Sequence, residues 1–281
     1  MKIIRRPDEM QKEAMCIKRA GKRIGLVPTM GYFHEGHLSL MEIARSRADI
    51  VVVSNFVNPT QFAPTEDYGA YPRDFERDCE MAESVSVDIM FAPNREEMYP
   101  EGFRTSVEVG EWGKTLCGRA RPTHFRGVTT VVLKLFHIVQ PDAAVFGWKD
   151  AQQFLILCRM VKDLDLPIEM IGGEIVREKD GLAMSSRNKY LTPEERAEAT
   201  VLSRSLAKVG RMIKEQGVVD SETLKKFITG EIDKTRHGKA DYVEIVSMDS
   251  LESITEVEKG KTMIALAVSF GKARLIDNLR L

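Results

Sequence analysis

Two imidazoles three residues apart, His34 and His37 in the run His34-Glu35-Gly36-His37, are the side chains whose types and spacing point most directly to chemistry. They follow Leu26-Val27-Pro28-Thr29-Met30-Gly31, an apolar run ending in a glycine-bearing turn, and precede Leu38-Ser39-Leu40-Met41, which opens a helical apolar periodicity. Residues at i and i+3 share one face of a helix. A helix N-terminus carries unpaired N–H groups and partial positive charge, so it suits an anion. Neutral imidazoles add N–H donors there, and an imidazolium adds charge. The arrangement suggests binding of a nucleoside triphosphate. The alternative is structural, with one ring capping the helix and the other bonding a carbonyl. A zinc site is disfavoured, because no third ligand is arranged nearby in sequence.

Three further stretches could act with the histidines. Met184-Ser185-Ser186-Arg187-Asn188 is a small-residue loop carrying hydroxyls and a guanidinium, a composition able to close over a phosphate chain or to serve as an ordinary polar loop. Gly147-Trp148-Lys149-Asp150-Ala151-Gln152-Gln153 places Lys149 just past one strand and beside a helix start, where it could contact phosphate or simply face solvent. Asn55-Phe56-Val57-Asn58-Pro59-Thr60-Gln61-Phe62 offers neutral amides that could close a turn or grip a small polar substrate, and Pro59 biases Asn58 away from helix. His124, in Thr123-His124-Phe125-Arg126-Gly127-Val128, is a further substrate-facing candidate; His137 lies in an apolar helical run and reads as a core histidine. Most methionines, Met10 and Met15 among them, read as packing residues.

The elements that must position these groups alternate in type. Strands are expected over Ile24–Pro28, Ile50–Val57, Asp88–Phe91, Ala143–Gly147 and Ile168–Ile171, and helices after His34 and over Pro72–Glu83, Val128–Val139 and Ala151–Val161. That alternation implies an open parallel sheet with helices on both faces, and in such sheets ligands sit beyond the carboxyl ends of the strands. The candidate motifs fall at those ends. Past residue 176 the pattern changes. Thr192-Pro193-Glu194-Glu195 is a helix start with a capping box, predicting a long helix to about Glu215. A second helix follows Ser221, and strands are expected over Tyr242–Val246, Met263–Phe270 and Arg274–Ile276, the last two joined at Gly271-Lys272. The fold class is therefore α/β, a Rossmann-like parallel-sheet domain over 1–175 with a smaller C-terminal α+β domain over 176–281.

Bulk properties bound the function classes. The chain has 281 residues, 43% apolar and 30% charged, and a formal net charge of −1, so no global basic field advertises nucleic-acid binding. Cys16, Cys79, Cys117 and Cys158 form no C-x-x-C pair, as expected for free, mostly buried thiols in a reducing cytoplasm. No signal peptide or transmembrane run is visible.

The set of motifs resembles one family. Pro28-Thr29-Met30-Gly31 with His34-Glu35-Gly36-His37-Leu38-Ser39-Leu40 is similar to the signature of the pantothenate synthetases, also called pantoate–β-alanine ligases. Phe56 to Phe62, Tyr71-Pro72-Arg73, Arg121 to Val128, Phe146-Gly147, Lys149-Asp150, Gln152-Gln153 and Met184 to Asn188 match in the same order, over nearly the whole chain. The chain departs from the pattern at Tyr32 and Phe33, where smaller residues are more frequent, and at Trp148, where an acidic residue is common.

The resemblance implies an adenylate-forming ligase of the class I nucleotidyltransferase layout. Pantoate, β-alanine and ATP would be the substrates, with Mg2+ on the phosphates. His34, His37, Lys149, Ser185, Ser186 and Arg187 would be catalytic. Met30, His37, Gly147, Lys149, Asp150, Val176, Met184, Ser185, Ser186 and Arg187 would bind ATP. Gln61, Gln153 and Asn58 would bind pantoate; protein ligands of the metal are not assigned, Asp150 being only a candidate. The resemblance also implies a homodimer; residues 176–281 are further expected to act as a lid, and composition points to a cytoplasmic protein with no nucleic-acid or membrane partner. Two alternatives stand beside it: a nucleotidyltransferase of the same superfold making a dinucleotide or CDP-alcohol, and a nucleotide-binding regulator without activity.

Overall fold

Consecutive residues of the strand Ile24–Thr29 enter different cores, Leu26 on one face and Val27 on the other, and this requires helices on both sides of the sheet. The computed structural model of the chain describes residues 1–64, 66 and 68–281. In chain order the elements are β1 (Lys2–Ile4), α1 (Pro7–Arg19), β2 (Ile24–Thr29), α2 (Glu35–Arg45), β3 (Ile50–Asn55), α3 (Phe75–Ser84), β4 (Ile89–Phe91), α4 (Arg95–Met98), α5 (Cys117–Ala120), α6 (His124–Val139), β5 (Ala143–Gly147), α7 (Ala151–Asp163), β6 (Glu169–Gly173), α8 (Pro193–Ala199), α9 (Val201–Gln216), α10 (Ser221–Ile232), β7 (Gly238–Ser247), β8 (Thr262–Phe270) and β9 (Ala273–Arg280). They divide into two units. The first holds Met1–Gly113, Arg121–Trp148 and Gln153–Glu174; the second holds Lys114–Ala120, Lys149–Gln152 and Ile175–Leu281.

The first unit is a parallel six-stranded sheet in the order β1-β4-β3-β2-β5-β6. The chain leaves β2 in one direction through β3 and β4, then returns to pair β5 on the other side of β2. That reversal between β2 and β5 is a topological switch point, where sheets of this kind open a crevice for ligands. Leu26, Val52, Ile89, Phe91, Ala144 and Phe146 pack toward α1, α6 and α7. Val27, Val51, Val53, Met90 and Val145 pack toward α2 and α3. The β-branched run of β3 is thus buried on both faces, as its composition demands.

The second unit is an antiparallel sheet β7-β8-β9 packed against α9 and α10, with Leu202, Leu206, Val209, Leu224, Ile228, Leu266, Val268 and Phe270 at its centre. The two-residue turn Gly271-Lys272 joins β8 to β9, with Phe270 paired to Ala273.

Several expected elements differ in extent. The single helix expected from Thr192 to about Glu215 is two: α8 and α9 are separated at Thr200, whose hydroxyl donates to the Ala197 carbonyl at 2.8 Å and competes with the helical ladder. The capping box is present, Thr192 Oγ1 accepting from Glu195 N and Glu195 Oε2 from Thr192 N. Helix α3 starts at Phe75 rather than near Pro72, because Asp74 caps it. Strands β7 and β9 run longer than their apolar cores because antiparallel pairing extends into polar residues. The edge strand β1 and helix α1 were not expected from the pattern.

Candidate active site

Strand β2 delivers the histidine turn. Gly31 takes φ +79°, and a Cβ there would lie 2.5 Å from Asn55 Oδ1 and 2.9 Å from Asp78 Oδ2, so glycine is required for both conformation and space. Tyr32 follows at φ +55°, an unfavourable region for a non-glycine residue. Asp78, on α3, compensates. Its carboxylate accepts from Tyr32 N at 2.7 Å, Phe33 N at 2.7 Å and Asn55 Nδ2 at 2.9 Å, while only 1% of the residue is exposed. Its neighbour Arg77 donates to the Phe33 carbonyl at 3.0 Å and lies over the Tyr32 ring. The first turn of α3 therefore clasps the backbone that leads to His34. Phe33 is buried among the residues between α2 and α3, so the unusual bulk at 32 and 33 is absorbed by the clasp and the core.

The two imidazoles cap α2 reciprocally. His34 Nδ1 accepts from Gly36 N at 3.1 Å, and His37 Nδ1 accepts from His34 N at 3.3 Å. A nitrogen that accepts carries no proton, so each neutral ring bears its hydrogen on Nε2. The centroids are 4.1 Å apart and the rings tilt by 41°. The structural alternative takes a different form from the one expected, since both rings act as caps, and capping places the proton of each neutral ring on Nε2.

The amide loop after β3 is a second fixed structure. Asn58 is 1% exposed; its Nδ2 donates to Gln61 Oε1 and to the Gly127 carbonyl, both at 3.1 Å, and its Oδ1 accepts from Thr60 and from Tyr99 Oη. Its amide is committed to holding the loop. Gln61 is 8% exposed and donates from Nε2 toward Met30 Sδ at 3.1 Å, which ties the loop to the end of β2. Helix α6 sits directly on this loop, since a Cβ on Gly127 would come within 2.5 Å of the Thr60 carbonyl. His124 Nε2 faces Arg121 Nη1 at 3.1 Å and Nδ1 faces the Gln61 carbonyl at 2.9 Å. Because guanidinium only donates, Nε2 accepts and Nδ1–H donates, which makes His124 a brace for Gln61. Arg121 also bonds Glu66 through Nε and Nη2. Burial opposes ionisation of Glu66, but the Arg121 hydrogen bonds and charge outweigh it and hold the carboxyl below its ordinary value.

Of the other residues marked by sequence, Met30 follows β2, Gly147 ends β5, and Gln153 is half-buried on the first turn of α7 with no side-chain hydrogen bond to another described residue. Trp148 packs edge-on against Phe154, centroids 4.5 Å apart. A cavity of about 280 Å³ lies beyond the ends of β2, β3 and β4; it shares Met30 and Gly31 with the histidine turn and carries Arg5, Arg73 and Arg95 on its walls.

Lys149, Asp150, Val176, Met184, Ser185, Ser186 and Arg187 belong to the second unit. Lys149 Nζ lies 3.6 Å from Asp150 Oδ2. Gln152 is consumed structurally: its Oε1 accepts from Cys117 N at 3.0 Å and its Nε2 donates to the Thr115 carbonyl at 2.8 Å. Met184 N donates to the Val176 carbonyl at 3.0 Å, and Ser185 Oγ caps the short 3-10 turn Ser186–Tyr190 by accepting from Arg187 N. Asn188 Nδ2 bonds Glu178 Oε1 at 2.7 Å and the Ala183 carbonyl at 3.1 Å. Among the described residues no group of three His, Cys, Asp or Glu side chains could hold a metal ion, and no helix is long and apolar enough to cross a membrane.

Sequence reasoning missed Asp78 as a builder of these sites, and it named Asn55, Arg121 and Gln152 only within motifs, without the bracing bonds that they make. Asp78 had only a faint signal, an acidic residue in a helix start following Tyr71-Pro72-Arg73.

The chain is similar to known proteins along nearly its whole length. The profile of the family described as Pantoate-beta-alanine ligase matches residues 2–280. The pantothenate synthetase of Caldicellulosiruptor bescii is 54% identical over 279 residues, covering 99% of this chain and 98% of the relative. That of Acetivibrio thermocellus is 51% identical over 279 residues, covering 99% of each. Among solved structures, a pantothenate synthetase from Thermus thermophilus superposes with a TM-score of 0.93 at 44% identity, over 100% of this chain and 99% of that one. The pantoate–β-alanine ligase of Francisella tularensis, described as complexed with β-γ ATP and β-alanine, gives 0.79 at 34% identity over 100% and 97%.

Proposed function

The chain belongs to the pantoate–β-alanine ligase family and condenses pantoate with β-alanine at the expense of ATP through a pantoyl adenylate, and we propose that His34, His37, Lys149 and the Ser185–Arg187 loop carry the adenylation step. A carboxylate is a poor electrophile, and AMP leaves far more readily than oxide. In the first step a pantoate carboxylate oxygen attacks the α-phosphorus, and the bond to the bridging oxygen of pyrophosphate breaks. In the second, the β-alanine amine attacks the acyl carbon, AMP departs, and the amine loses a proton.

The first nucleophile is already ionised, so that step needs positioning and charge stabilisation rather than a base. The observation that carries the reading is the reciprocal cap of His34 and His37. It fixes Nε2–H as the donor on both rings, the arrangement suited to a developing phosphoryl charge. Lys149 and Arg187 supply cations, and the hydroxyls of Ser185 and Ser186 supply further donors to the triphosphate. Met30, Gly147, Val176 and Met184 serve the nucleotide through backbone and packing. Asp150 is the residue that would contact a magnesium ion, whose chemistry would be to neutralise charge on the triphosphate. A cytoplasmic homodimer is the setting this reading carries.

Gln61 and Gln153 orient pantoate, because neutral amides bind its hydroxyls and carboxylate without an ion pair that would blunt the nucleophile. Asn58, with its amide committed within the loop, supports Gln61 instead of contacting substrate. Gln61→Ala is expected to raise the KM for pantoate about tenfold or more while leaving the KM for ATP within about twofold. Steady-state titration of each substrate checks this, and equal rises in both constants count against the role.

The activity itself is tested by pyrophosphate release from ATP. It should require pantoate, proceed for a single turnover without β-alanine, and turn over continuously when β-alanine is added. Release that ignores pantoate would sink the reading.

A further inference from the structure

Lys149 and the Ser185–Arg187 loop lie far apart in sequence, yet both are held by neighbouring residues of β9. The loop is delivered by a hairpin in which Met184 N donates to the Val176 carbonyl at 3.0 Å and Glu178 N to the Leu182 carbonyl at 2.8 Å. Arg177 of that hairpin reaches β9. Its Nη1 lies 2.7 Å from Asp277 Oδ2 and its Nη2 2.8 Å from Asp277 Oδ1, a two-point pair, and Nη1 also bonds the Gly181 carbonyl across the hairpin at 3.0 Å. Asp277 is 2% exposed. The next residue, Asn278, donates from Nδ2 to the main-chain carbonyl of Lys149 at 3.2 Å. Consecutive side chains of a strand leave on opposite faces, so two adjacent residues reach two separate segments. Asp277 Oδ1 also accepts from Asn278 N at 2.8 Å, joining the two contacts.

These polar groups are not needed to seat the strand. Residues 273–280 of β9 already pair with β8 in continuous register, with Asp277 opposite Leu266 and Asn278 opposite Ala265. A buried ion pair is a weak device for stability alone, since well-packed apolar residues often serve as well. A planar two-point Arg–carboxylate contact does fix direction. We propose that Asp277 and Asn278 are positioning residues for adenylyl transfer, together with Arg177. They set the Lys149 segment and the Ser185–Arg187 loop relative to each other through one strand, so that both cations meet the same triphosphate. The inference rests on the reading that these two segments serve ATP.

The test compares the wild-type chain with Asn278→Ala, Asp277→Asn, Arg177→Met and Arg177→Lys, measuring pantoate-dependent pyrophosphate release, KM for ATP, KM for pantoate and the thermal midpoint. Misplaced cations should lower the adenylation rate and raise KM for ATP by about tenfold in Asn278→Ala and Arg177→Met, with KM for pantoate changed by less than about twofold. Arg177→Lys keeps the charge and should recover part of the loss. Asn278→Ala and Asp277→Asn alter buried groups; if either fails to fold, the Arg177 pair, whose side chain is partly exposed, decides alone. The proposal is overturned if both KM values move together, or if activity falls only in proportion to folded protein. It is also overturned if active wild type and variants share one KM for ATP. A wild-type chain that releases no pyrophosphate with pantoate overturns the underlying activity instead, a separable result.

Discussion

His37→Ala is expected to lower the rate of pantoyl-adenylate formation by about 10²-fold or more, equivalent to about 3 kcal/mol of transition-state stabilisation. The size follows from what is lost. One of the two Nε2–H donors proposed to face the attacked phosphoryl group disappears, leaving His34 alone. A second, smaller loss accompanies it: His37 Nδ1 no longer accepts from His34 N, which loosens the cap of α2 at a cost of about 1 kcal/mol in stability. The two effects separate experimentally. Single-turnover quenching reads the chemical step, and thermal or denaturant unfolding reads the cap. Adenylate formed at the wild-type rate in a single turnover removes His37 from the mechanism.

Asp78→Asn should be nearly as damaging without touching substrate. The carboxylate accepts two backbone N–H groups on separate oxygens, Tyr32 N on Oδ2 and Phe33 N on Oδ1. An amide of the same shape offers one acceptor and sets a donor against the other N–H, leaving a buried amide unpaired at a cost of about 2 kcal/mol. Tyr32, held at φ +55° by that bond, is then free to relax, and the turn carrying His34 shifts. The expected outcome is a fall of about tenfold or more in adenylate formation, with altered imidazole resonances for His34 and His37 by NMR. Unchanged resonances together with an unchanged rate would reduce Asp78 to a folding residue.

The contrast between these two predictions shows what the sequence could and could not disclose. His37 was legible because its partner His34 is local and the helix start is written in the residues around it. The parallel sheet was legible for a similar reason: β2, β3 and β5 are short apolar runs separated by helical periodicity. Asp78 was far less so, because its partners sit 45 and 46 residues away and an acidic residue in a helix start is only a faint signal that does not name them. Gln152 and Gln153 are indistinguishable by type, yet the structure commits the first to Thr115 and Cys117 and leaves the side chain of the second without a hydrogen bond among the described residues. Asn58 likewise looks like a ligand-binding amide until its partners are counted. Strand β1 escaped notice because a three-residue edge strand carries too little pattern, and the interruption at Thr200 depends on a single hydroxyl.

The mutual cap of the two imidazoles also limits what acid can do to this enzyme. A hydronium-derived proton can settle on either ring only at Nδ1, and there it must evict a main-chain amide. Electrification of the ring and fraying of the first helical turn thus become one event, so these histidines are suited to be fixed electrostatic contacts and unsuited to shuttle protons during turnover.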